Sequence, residues 1–116
     1  MFDFETLDVY KDSKSFHLEI HKDVLLKPAI DNAYKYQLRR SSLSLALNIA
    51  EGSGRFSKAD KRNFYVIARS SLIESIAILD ILKDLNLIEI DIFQKMYFLA
   101  DKLSRMLFVM ITQLQK

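Results

Sequence analysis

Apolar residues recur at helical spacing over most of this chain. Near the carboxyl end they alternate three and four residues apart, which is the a/d spacing of a helix that buries one face in a bundle. This stripe consists of Ile92, Met96, Leu99, Leu103, Met106, Met110 and Leu114. The segment before it has a comparable face made of Phe64, Ala68, Leu72, Ser75, Leu79 and Leu82. Because strand-like alternation between turn residues does not compete with this spacing, the pattern predicts an all-α chain.

Four helices with short connections account for the sequence. The first is predicted from about Glu5 to Leu26, because Pro28 disfavours helix in the residue before it. The second is predicted to include Tyr36 to about Ser53, the third to run from an N-cap at Ser57 to near Asn86, and the fourth to start after Glu89 or Asp91. Gly52 and Gly54 are expected to end the second helix through a left-handed cap. Short connections favour antiparallel neighbours, so residues 1–116 are predicted to form a single antiparallel up-down-up-down four-helix bundle.

The second predicted helix is apolar almost all round. Leu45 and Ile49 lie on one face, and Leu43 and Leu47 lie on another. Such a helix must be covered on more than one side. We expect Leu45 and Ile49 in the core of the subunit, and Leu43 and Leu47 in contact with another copy of the protein. The sequence alone leaves these two faces exchangeable.

The composition is that of a small domain that does not enter a membrane. Apolar residues make up 50% of the chain, which favours an apolar interface, and there is no Cys to form a disulfide or a thiolate metal site. No window approaches the roughly 18 continuous apolar residues of a membrane span. The acidic start of the chain lacks the charge pattern of a signal peptide, so the expected location is cytoplasmic.

Basic residues are concentrated in the middle of the chain. Eight basic residues and two acidic ones lie from Lys35 to Arg69, a net charge of +6, whereas the rest of the chain carries −4. The candidate contacts with nucleic acid are Lys58, Arg62, Tyr65, Arg69, Arg39 and Arg40. The first four share one helical stripe, in which the cations suit phosphates and the ring suits an unpaired base. The alternative interpretation is a solvated helix face.

Two polar residues interrupt the apolar second helix near its end. Asn48 and Glu51 are expected to be costly to bury unless they are paired. Arg55 and Arg69 are the candidate partners of Glu51, and Asn48, Glu51 and Arg55 are predicted to form a structural polar network that sets packing. The alternative is a polar pocket that binds a ligand.

Catalytic and metal-binding patterns are weak. His17 and His21 are four residues apart, but Leu18 follows His17 where the zinc-protease pattern requires Glu. Ordinary packing or surface histidines are therefore favoured over a metal site. The segment Gly52–Gly54 follows a helix and lacks the ending of a phosphate-binding loop. The sequence predicts no catalytic residue, no metal and no cofactor, and therefore a protein that is not an enzyme.

The run QLRRSSLSLALNIAEGSGR, from Gln37 to Arg55, resembles the signature of the four-helix bundle proteins of the 23S rRNA intervening-sequence family. The matching core is NIAEGSGR at Asn48 to Arg55, and weaker similarity extends along nearly the full chain. A small residue or Pro commonly follows the Ser of that segment, and here Leu45 and Ala46 follow it. The resemblance implies a four-helix bundle and a ring-like homopentamer. A related group accompanies reverse transcriptases in diversity-generating retroelements, where a basic oligomer acts as an adaptor for nucleic acid and protein.

Two classes of function follow from these features. The first is a non-enzymatic homo-oligomer, favoured as a pentamer, that binds RNA or DNA and that could pair with a reverse transcriptase as its relatives do. The alternative is a structural or protein-interaction scaffold that binds no nucleic acid.

Overall fold

The computed structural model describes residues 1–115, which fold into four α-helices without a β-strand in that range. The helices are α1 (Asp8–Ile20), α2 (Asn32–Ser53), α3 (Lys58–Asp84) and α4 (Ile90–Gln113). The prediction of an all-α chain is therefore confirmed. Within the same range, no helix combines the length and the apolar character needed to cross a membrane.

The first predicted helix is divided into three pieces. A 3₁₀ turn at Asp3–Thr6 precedes α1, and a π-helical turn at His21–Leu25 follows it. Leu7 separates the first two pieces, because its φ of −80° and ψ of 123° are extended rather than helical. Apolar spacing alone did not reveal this break, since a single extended residue changes the period very little.

Side-chain caps fix the starts of α2 and α3, and a left-handed residue follows the end of α3. α2 begins earlier than Tyr36 because the Asp31 carboxylate accepts a hydrogen bond of 2.9 Å from the backbone N–H of Ala33. The predicted cap at Ser57 is confirmed, since its Oγ accepts from the backbone N–H of Asp60 at 3.0 Å. Asn86, with a φ of 60°, takes the left-handed conformation expected after α3.

The predicted left-handed glycine cap of α2 is wrong. Both glycines lie in the described range, and neither has a positive φ. Gly54 has a φ of −90°, and Gly52 lies within the last turn of α2. The ζ-amino group of Lys61 donates a 2.9 Å hydrogen bond to the backbone oxygen of Ser53, which satisfies a carbonyl at the end of the helix.

Each helix contacts its neighbours in chain order, and α1 also contacts α4. α2 and α3 share the most extensive contact. The largest side chains of the core are fully buried and come from all four helices of the described range; they include Phe16, Leu45, Leu72, Leu103 and Leu107. The packing is that of a helical bundle about 44 Å long.

Candidate nucleic-acid and oligomer surfaces

The two apolar faces of α2 have different environments in the chain. Leu45 and Ile49 are completely buried, whereas Leu43 is 41% exposed and Leu47 is 56% exposed. This assignment of core and outer face agrees with the prediction. The exposed leucines lie on a helix whose opposite face is already packed, so they are available to a partner. Their contact with a second subunit stays a prediction.

A second exposed apolar stripe runs along α3 and was missed from the sequence. Val66, Ile73 and Ile81 are all 40% exposed or more. The exposed small residues Ser70 and Ala77 lie between them on the same face, at steps of three or four residues. The signal was present as a row of apolar and small residues beside the core face. Such a row suits close approach of another helix.

Arg69 is partly occupied by contacts within the chain. Its Nε donates a 3.3 Å hydrogen bond to the backbone oxygen of Ser104, and its guanidinium carbon lies 5.8 Å from the centre of the Phe108 ring. Arg69 therefore helps to join α3 to α4. Lys58 and Arg62, on the same predicted stripe, are exposed and half-buried respectively.

The remaining two candidate arginines lie apart from that stripe. Arg39 and Arg40 are exposed on α2, and an η-nitrogen of Arg40 lies 3.7 Å from a carboxylate oxygen of Glu74. Arg62 precedes Glu74 by twelve residues on α3, which is about 18 Å along the helix axis. Arg40 thus lies far from Arg62 along the bundle, and Glu74 offsets part of its charge.

The predicted stacking role of Tyr65 needs correction. Its side chain is only 4% exposed, and burial raises the pKa of its hydroxyl. A Cβ atom placed on Gly52 would lie 2.8 Å from Cε1 of the Tyr65 ring. The ring therefore fills the space left by the missing side chain of Gly52, and it offers no accessible face to a base.

The predicted polar network of α2 consists of two local contacts. The Asn48 side-chain amide donates to the backbone oxygen of Ser44 at 2.8 Å and to its Oγ at 3.0 Å. Glu51 lies 3.7 Å from Arg55, which was one of its two predicted partners, and the two side chains are 61% and 46% exposed. In the single chain this is therefore a solvent-exposed pair, and its burial in an oligomer stays a prediction. An exposed pair at this spacing contributes about 0.3–0.5 kcal/mol.

His17 takes part in the contact between α1 and α2. Its Nδ1 lies 2.7 Å from Oγ of Ser42. Burial, followed by the charges of His21 and Arg39, lowers the pKa of His17 below its ordinary value. Among residues 1–115, no group of three or more His, Cys, Asp or Glu is placed to hold a metal ion. The geometry of His17 is that of a packed histidine with a hydroxyl partner.

Comparison with known families aligns residues 5–109 with the family described as "23S rRNA-intervening sequence protein". The aligned span begins in the 3₁₀ turn and includes α1, α2, α3 and most of α4. No curated protein matches the chain.

Proposed function

The chain belongs to the family of 23S rRNA-intervening sequence proteins, and we propose that it acts as a homo-oligomeric, non-enzymatic adaptor that binds RNA or DNA. The description of the family supports a role connected with ribosomal RNA. The proposed subunit is an antiparallel up-down-up-down bundle. It is supported by the order of the contacts between α2 and α3. Ser41 meets Ser75 and Ser44 meets Ser71, so residue numbers increase along α2 in the direction in which they decrease along α3.

The exposed leucines of α2 carry the oligomer part of the proposal. Leu43 and Leu47 leave apolar surface uncovered on a helix whose other face is fully buried. Complete burial of an exposed leucine side chain contributes about 1.5–3 kcal/mol. Leu43 and Leu47 are already partly covered within the subunit, so each contributes less than that to an assembly. A closed ring of five is the expected assembly, as the family resemblance implies.

Light scattering tests the assembly directly. The wild type is expected to have several times the subunit mass of 13.5 kDa. Leu43→Glu with Leu47→Glu should release subunits, because the interface would then bury unpaired carboxylates. Leu18→Glu is the matched control, since Leu18 is 55% exposed on α1. A wild type of 13.5 kDa at micromolar concentration would contradict the proposal.

The excess of basic residues from Lys35 to Arg69 supports the nucleic-acid part. Binding is expected to be directed at phosphates and to weaken steeply with salt. Arg62→Glu with Arg69→Glu should remove most binding, whereas the control Lys102→Glu with Arg105→Glu, on α4, should change it much less. Circular dichroism must accompany the first variant, because Arg69 also contacts Ser104.

A scaffold without nucleic-acid binding is the second candidate. It is favoured by the internal contacts of Arg69 and by the burial of Tyr65, since both residues were expected to face nucleic acid. Titration of the wild type with structured RNA and with duplex DNA separates the candidates. If neither binds at about 50 mM salt, where phosphate contacts are strong, the scaffold replaces the adaptor. A cytoplasmic location and a reverse transcriptase partner stay predictions.

A further inference from the structure

The turn between α2 and α3 presents a phenylalanine fully to solvent. Phe56 follows Arg55 and precedes the N-cap residue Ser57, and its side chain is as exposed as in an extended peptide. An aromatic ring left this exposed has an apolar surface that a partner can cover. Since Tyr65 is buried, Phe56 is an accessible ring in the basic segment of the chain.

The charges around Phe56 are predominantly positive. Four basic and two acidic residues lie from Glu51 to Arg62. One of the acids, Glu51, already pairs with Arg55 at 3.7 Å. The guanidinium of Arg55 also lies 4.5 Å from the centre of the Phe64 ring, which holds it at the base of the turn. The exposed Lys58 opens α3 on the other side of Phe56.

An open cavity of about 720 Å³ lies beside this turn. Its apolar lining includes Phe56, Leu47, Phe2 and Phe4, and Arg55 reaches it from the end of α2. Glu51 and Asp60 also line it, so their carboxylates would repel a free anion there. A ligand that combines a flat apolar ring with phosphates outside the cavity fits this arrangement better than a small anion.

We propose that Phe56 stacks on an unpaired base of single-stranded nucleic acid while Arg55 and Lys58 contact the phosphates that flank this base. The combination of an exposed ring with adjacent cations is the one that single-strand binding proteins use. Duplex nucleic acid should not use Phe56, because its bases are already stacked on each other. This inference rests on the proposed nucleic-acid function and assigns it a site and a ligand form.

Substitution of the ring tests the site. Phe56→Ala should weaken binding of a short oligouridylate at least about five-fold, the smallest loss expected when one stacking ring is removed, and should leave duplex RNA binding within two-fold. Phe98→Ala is the matched control, since Phe98 is 72% exposed on α4. The mass of each variant is measured by light scattering, so that a change of assembly is seen.

A fluorescent ring gives a second readout. The chain has no Trp, so Phe56→Trp introduces one Trp per chain, at the turn. Stacking on uracil should quench its emission on titration with oligouridylate, whereas Phe98→Trp should stay unquenched. Quenching is a signal gained on binding, so a destabilised variant cannot imitate it.

The outcomes separate the site from the function. Selective loss of single-strand binding in Phe56→Ala, with quenching in Phe56→Trp, supports the inference. If Phe56→Ala binds both nucleic acids like the wild type, the site is wrong while the adaptor function stands. A smaller assembly in Phe56→Ala would make Phe56 a contact between subunits and overturn the inference. If the wild type binds neither nucleic acid, the proposed function fails together with the inference.

Discussion

The contact between α2 and α3 differs in chemistry from the contacts that α1 makes with its neighbours. α2 and α3 are joined by neutral hydroxyl groups: Oγ of Ser41 lies 2.7 Å from Oγ of Ser75, and Oγ of Ser44 lies 3.0 Å from Oγ of Ser71. These small side chains allow the helix backbones to approach closely. At the end of the same contact, Gly52 admits the ring of Tyr65.

α1 and the π-helical turn after it bury apolar side chains such as Phe16, but their polar contacts are made by groups that titrate. Lys95 of α4 pairs with Glu19 at 2.9 Å and with Asp23, while Lys102 pairs with Asp12 at 3.3 Å. His17 meets α2 through the hydroxyl of Ser42. The comparison indicates that the α2–α3 contact should respond mainly to added volume, whereas the polar contacts of α1 add a response to pH and salt.

The largest effect is expected from Gly52→Val. The first added atom would lie 2.8 Å from Cε1 of Tyr65 and 3.0 Å from Cβ of Phe64, so the Tyr65 ring or the helices must shift. Overpacking of this kind costs about 1–3 kcal/mol. Urea unfolding monitored by circular dichroism measures the loss.

Gly54→Ala is the control for that substitution. A Cβ at Gly54 would meet the backbone oxygen of Glu51 at 3.7 Å, which is an ordinary contact, and the φ of −90° suits an L-residue. Its free energy of unfolding should stay within about 0.5 kcal/mol of the wild type. Equal losses in the Gly52 and Gly54 variants would refute the close approach as the cause.

A smaller effect is expected from Lys95→Met. Lys95 bridges two carboxylates, and its hydrogen bond to Asp23 is the main cause that lowers the pKa of Asp23 and raises that of Lys95. Because the lysine is largely exposed, we expect a loss of at most about 1 kcal/mol at low salt, and less at high salt. Lys102→Met, which breaks one exposed pair, should cost less. A larger loss for Lys102→Met would show that the double pairing of Lys95 adds nothing.

The smallest effect is a pH dependence from His17. Its folded-state pKa lies below 6.5, so the unfolded chain takes up the proton first as the solution becomes acidic. The contribution of His17 is therefore complete above pH 6.5 and is lost as the pH falls through and below that value. The pKa of Asp23 is also lowered, from 3.8, so the contribution of Asp23 to stability is likewise lost as the pH falls below 3.8.

His17→Gln should reduce the loss of stability that begins near pH 6.5. The midpoint temperature of unfolding, followed by circular dichroism as the pH falls below 6.5, should decline less in this variant than in the wild type. Parallel curves for the two proteins would mean that another group causes the decline.

Most of the helices could be predicted from the sequence because helix formation is local. The apolar period located α3 and α4, and the Ser57 cap and the left-handed Asn86 marked the ends of α3 within the chain itself. The same period put Ile49 and Leu47 on different faces of α2, but only the structure showed that Ile49 is buried and Leu47 exposed. The extended Leu7 was missed, since one non-helical residue hardly alters an apolar period.

The candidate site was less predictable than the fold. The spacing of Lys58, Arg62, Tyr65 and Arg69 predicted a common stripe on α3, but it could not show which of these side chains a neighbouring helix covers. Tyr65 is buried by α2 at Gly52, and Arg69 is engaged by Ser104 of α4. Both partners come from distant parts of the sequence.

The sequence by itself determined the helical character, the core faces of α3 and α4 and the family of this protein, because these depend on local period and on a contiguous motif. Tertiary structure decided the accessibility of the rings and charges. Gly52 illustrates the reason: its lack of a side chain matters because α3 places Tyr65 against it, and not because of its own backbone freedom. Which groups remain for a partner is fixed by how the helices cover one another, and residue spacing along a single helix does not contain that information.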